Sequence, residues 1–144
     1  MLDPLTAISL AGTIVQFVDF SSKVISKTRE LSKSTYGAAE EEYNVEIVTG
    51  DLLKLSQDLR DGRASGSDDK DDQKLEALCD GCISLSEKLI ARFQKLKVRP
   101  GMGKVHVLGQ AIKTVWSRKE LDQLIEQLEG YRRQLELHVF VSFR

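Results

Sequence analysis

Proline is almost missing from these 144 residues, occurring only as Pro4 and Pro100. An interior proline removes a helical hydrogen bond and clashes with the preceding turn, so its scarcity leaves room for long unbroken helices. Cysteine is equally scarce, with Cys79 and Cys82 alone. Three positions apart on one expected helix, they make no disulfide scaffold, and a reducing, intracellular setting is expected. Histidine is limited to His106 and His138, without the paired spacing of zinc sites. Acidic residues are absent from 88–119, a stretch that holds nine Lys and Arg. The net charge is still −1, so the chain as a whole has no polyelectrolyte character. The run 4–18 has no charge at all. As a helix it would span about 22 Å, short of the ~30 Å of a bilayer's hydrocarbon core. No apolar run is therefore expected to cross a membrane alone. The start also lacks the basic segment of a cleavable signal.

What is present is apolar periodicity. Hydrophobic residues make up 41% and charged residues 30% of the chain, a balance that suits solvent-facing helices around one core. A first helix is expected from Asp3, a good N-cap, with Pro4 in the first helical position, to about Ser34. Its apolar sector is wide: Leu5, Ile8, Leu10, Ile14, Val15, Phe17 and Val18, with Thr6, Ser9, Thr13 and Gln16 on one polar face. A second helix is expected over about 38–60, on Val45, Val48, Leu52, Leu55 and Leu59. Small and charged residues over about 61–72 predict a flexible loop. A third helix follows over about 73–98, with Leu75, Leu78, Cys79, Cys82, Leu85, Leu89, Phe93 and Leu96 on its buried side. Pro100, Gly101 and Gly103 break it. A short helix over about 104–116 and a long one from Ser117 complete the chain. There, Ser117 and Glu120 fit a capping box. The tail from His138 to Arg144 stays apolar, which suggests a longer parent chain. The expected architecture is all-α: one domain over 1–144, an antiparallel bundle of four long helices plus one short helix.

Gly101-Met102-Gly103-Lys104 lacks the strand and the Gly-Lys-Ser/Thr ending of a phosphate loop. Cys79-Asp80-Gly81-Cys82 has neither zinc partners nor a βαβ setting, so both thiols are expected to fill a helix interface. Neither histidine has a nucleophile motif around it. The basic stretch has no interleaved stacking aromatics beyond Phe93 and Trp116, both at core-like spacing. No enzyme, no cofactor, no metal and no nucleic-acid partner are expected. Lys88, Arg92, Lys95, Lys97, Arg99 and Lys104 form a candidate face for anionic lipid, or else an ordinary solvated helix face.

The opening Asp3-Pro4-Leu5, followed by small and aliphatic residues and then Gln16-Phe17-Val18-Asp19-Phe20, resembles the start of fungal SesA-like and HeLo-like domains. These domains stand at the N-terminus of NLR-type (STAND) immune receptors, before a NACHT or NB-ARC module. Thr28-Arg29-Glu30-Leu31, Leu96-Lys97-Val98, Val115-Trp116-Ser117 and Val141-Ser142-Phe143-Arg144 are similar in style, so the resemblance spans nearly the whole chain. It implies a helical effector domain in innate immunity, acting in regulated cell death or heterokaryon incompatibility. It also implies self-association on activation, a nucleotide-binding module downstream in the same chain, and a cytoplasmic location with recruitment to the plasma membrane. On that reading, Leu5, Ile8, Leu10, Ile14, Val15, Phe17 and Val18 would face lipid or other copies, while Thr6, Ser9, Thr13 and Gln16 line a funnel. Two alternatives stand beside it. The first helix is simply the buried centre of the bundle, or the domain is an adaptor that binds proteins and no lipid.

Overall fold

The computed structural model describes residues 4–33, 45–63, 70–97 and 116–142, and every regular element among them is an α-helix. Four helices follow one another: α1 (Pro4–Lys33), α2 (Val45–Gly62), α3 (Lys70–Lys97) and α4 (Arg118–Ser142). Pro4 does begin α1, where its missing amide proton costs no hydrogen bond. At 30 residues, α1 is about 45 Å long at the standard rise. The expected short helix over 104–116 lies outside the described residues, apart from Trp116.

Both ends of the loop expected over 61–72 are helical. Asp61 and Gly62 still belong to α2, and Lys70, Asp71 and Asp72 already belong to α3. The Arg63 amide donates to the Arg60 carbonyl at 3.2 Å and closes the last turn of α2.

One core joins all four helices. α1 contributes Leu10, Ile14, Phe17 and Ile25; α2 contributes Leu52 and Leu59; α3 contributes Leu75, Leu89 and Phe93; α4 contributes Leu121 and Leu128. Each such side chain, removed from water, stabilises the fold by about 1.5–3 kcal/mol. Trp116, just before α4, stands edge-on to Phe93 with ring centroids 4.8 Å apart. α1 packs on all three other helices, α2 on α1 and α3, and α3 also on α4.

Small residues bring α2 and α3 together. Ser56 and Ser86 are buried with their hydroxyls 3.0 Å apart. Arg60 donates to Ser56 Oγ at 2.8 Å, and Ser86 donates to the Ile83 carbonyl at 2.7 Å. Each hydroxyl carries one proton, so a relay from Arg60 through both serines to that carbonyl satisfies every member, as a buried polar chain requires.

Ser117 caps α4 as expected, accepting from the Glu120 amide at 3.1 Å. The reciprocal half of the box differs. Glu120 Oε1 accepts from the Ser117 hydroxyl at 3.5 Å, while Oε2 holds Arg92 of α3 at 3.0 Å.

Candidate interaction surface

The seven apolar residues singled out on the first helix divide into three groups. Leu10, Ile14, Phe17 and Val18 are core. Ile8 and Val15 stand in solvent, 52% and 43% exposed. The Leu5 side chain, like that of Thr6, lies outside the described residues. Ile8 and Val15 are seven apart, with Gly12 between them at the i+4 position, so all three share one side of the helix. Gly12 is exposed, and a side chain there would meet nothing. Ser9 and Gln16 are also exposed, and Thr13, half-buried, donates to the Ser9 carbonyl at 3.0 Å. α1 is therefore amphipathic in an unusual sense: one apolar side is sunk in the core, and a second, narrower apolar edge is left outside.

The uncharged run 4–18 overlaps a longer stretch, Ile8–Glu30, whose 23 residues include five charges and which has the length and composition, though not more, of a membrane span. It would reach about 34 Å, matching a hydrocarbon core of ~30 Å. A core helix of a water-soluble bundle has the same composition, and under half of that stretch is buried here. Two of its five charges reach α4: Asp19 accepts from Arg132 at 2.9 Å, and Arg29 reaches Asp122 at 3.2 Å. Both pairs are exposed, so each contributes at most about 1 kcal/mol. They fasten α1 lightly.

The basic stretch looks different in space. Lys88 and Lys95 are exposed, but Arg92 is half-buried and bound to Glu120. The side chains of Lys97, Arg99 and Lys104 lie outside the described residues. Uninterrupted positive charge along the chain thus meets an acid that α4 brings from elsewhere in the sequence, a partner that spacing along one helix does not reveal.

Cys79 and Cys82 are fully buried. The Cys79 thiol donates to the Leu59 carbonyl at 3.4 Å. Burial pushes Cys79 up to about 11 and Cys82 up to about 12, since a thiolate there would be stripped of water. At neutral pH both are protonated and non-nucleophilic. Among the described residues, no three or more His, Cys, Asp and Glu gather as a metal site would need.

Sequence reasoning missed one charged constellation. Arg63 holds Asp80 through two contacts, at 2.6 and 3.0 Å, and Glu76 at 3.5 Å. Glu76 is buried, and its Oε1 has no hydrogen-bond partner. Glu76 and Asp80 are one turn apart, a spacing that could have announced a shared cation. Compared with known proteins, the chain matches no protein family, no curated protein and no solved structure.

Proposed function

We propose that this chain is a non-enzymatic effector domain of a fungal NLR-type immune receptor, which self-associates on activation and delivers α1 to a membrane. The observation that carries this reading is the exposed apolar edge of α1, Ile8 and Val15, on a helix long enough to span a bilayer. The resemblance of residues 3–20 to the start of SesA-like and HeLo-like domains falls on the same helix. In this reading the domain resides in the cytoplasm, a nucleotide-binding module follows in the same chain, and the output is regulated cell death or incompatibility.

The bundle we infer is antiparallel. Contacts between α2 and α3 run in opposite directions, from Ser56 with Ser86 to Arg63 with Asp80. The same holds for α1 and α4, from Arg29 with Asp122 to Asp19 with Arg132. Releasing α1 from such a bundle moves its apolar side from protein to lipid, which is about equally apolar. The cost falls on the faces of α2 and α4 left uncovered, and contact between copies offsets it. Anionic headgroups would attract Lys88 and Lys95, both exposed.

The competing reading is an adaptor that pairs through exposed helix faces and never meets lipid. With Leu10, Ile14, Phe17 and Val18 in the resting core, most of the apolar sector of α1 is withheld from lipid. Vesicle leakage and sedimentation separate the two. The purified chain is expected to release dye from anionic vesicles, and Ile8→Glu with Val15→Glu should abolish release while circular dichroism stays unchanged. Ile14→Glu is unsuitable, because Ile14 is fully buried. Intact vesicles alongside concentration-dependent self-association would replace the membrane reading with the adaptor.

A further inference from the structure

α3 and α4 are joined at one end and line a groove nearer the other. Phe93 with Trp116 and Arg92 with Glu120 join them where α3 ends and α4 begins. Further along, Tyr131 lies across Gly81 so tightly that a β-carbon there would stand 2.8 Å from the phenol oxygen. Beyond Tyr131 the two helices leave a groove of about 470 Å³, within the range of ~300–1,000 Å³ typical of small-ligand sites.

The groove has a consistent chemistry. Its floor is Leu75 and Leu78, both buried, and Leu137 forms a wall although it is 65% exposed. A leucine left that open beside a leucine floor makes a continuous apolar trough. The polar members among the described residues are Lys74, Tyr131, Gln134 and His138, with no carboxylate among them. A cation and hydrogen-bonding groups at the edge of an aliphatic trough suit a ligand with an alkyl tail and a negative head. α3 lines the groove over 74–78 and α4 over 131–138, about 6 Å and about 10 Å of axis.

We propose that this groove binds a single-chain aliphatic carboxylate, its tail on Leu75, Leu78 and Leu137 and its head at Lys74. The site is separate from α1 and does not rest on the membrane reading. Burying each further methylene is worth about a fourfold gain in affinity until the trough is full.

Calorimetric titration of the full chain with decanoate, below its micelle concentration, tests this. Saturable one-to-one binding is expected, with octanoate up to about sixteenfold weaker. Decyltrimethylammonium, with the same tail and the opposite head, should bind at least tenfold more weakly. Lys74 and Leu137 are exposed, so substitution there leaves the fold standing. Lys74→Glu should cost decanoate at least tenfold, and Leu137→Asp should remove binding. Ile8→Glu with Val15→Glu should leave binding unchanged. The proposal is overturned if decanoate shows no saturable binding or if both head groups bind equally. Binding that survives Leu137→Asp, or that disappears with the α1 substitutions, overturns it as well.

Discussion

Arg63 stands one residue past the end of α2 and holds two carboxylates of α3. Glu76 is the one at risk, since a buried carboxylate without its cation is strongly disfavoured. Breaking a fully buried pair costs about 3–5 kcal/mol. The Arg63 side chain is 29% exposed, which lets water take part, so Arg63→Ala is expected to cost about 2 kcal/mol in urea unfolding. Glu76→Gln added to that variant should recover part of the loss, because it removes the stranded charge. The two thiols give a pH signature. Unfolded, they lose protons near the ordinary value of 9.0; folded, only near about 11 and about 12. Above pH 9 the unfolded state therefore binds fewer protons than the folded one. Their contribution is whole below pH 9 and is lost as pH rises toward 11–12. At pH 10 each thiol should remove about 1.4 kcal/mol. Unfolding of the wild type and of Cys79→Ala/Cys82→Ala at pH 7 and pH 10 checks this. Equal alkaline losses in both proteins would rule the thiols out as the cause.

At the scale of one helix, α1 carries two kinds of apolar residue that composition does not distinguish. Phe17 is fully buried, so Phe17→Ala should cost about 3–5 kcal/mol. Val15 is 43% exposed, and Val15→Ala should stay within about 0.5 kcal/mol. Thermal or urea melts of the two variants compare them directly, and a large loss at Val15 would mean its edge is covered. On α3, Gly81 gives the opposite lesson. Alanine favours a helix over glycine by about 1 kcal/mol, yet a β-carbon at Gly81 would press on Tyr131. Gly81→Ala should therefore destabilise the wild type and stabilise a Tyr131→Ala background. A double-mutant cycle with no coupling between the two positions would contradict the tight fit.

For the whole molecule, the issue is whether α1 must leave the bundle to act. Asp19 and Arg132 meet at 2.9 Å across α1 and α4, which makes them a place to tie the helices together. Asp19→Cys/Arg132→Cys joined by a short bifunctional maleimide should keep its native circular dichroism and lose vesicle leakage. The resident thiols will not compete, being buried and protonated. Leakage at the wild-type rate from the tethered protein would show that α1 acts without release.

Much of the fold could be read along the chain. The apolar stripes of α2, α3 and α4, the proline at the start of α1 and the serine cap of α4 are local features, and a helix obeys local rules of spacing and capping. The helix ends at 61–62 and 70–72 were harder to read, because charged residues suit both a loop and a solvated helix turn. The candidate site was legible only in outline. α1 could be picked out as the apolar helix, but an apolar residue looks the same in sequence whether a neighbour covers it or not. That Ile8 and Val15 are open while Ile14 and Phe17 are closed is decided by where α2, α3 and α4 lie. The same holds for Arg92, whose acid comes from a different helix, and for the groove beside Tyr131, which α3 and α4 line together. Periodicity is a property of one helix, whereas exposure, ion pairing and cavities are properties of several helices brought together.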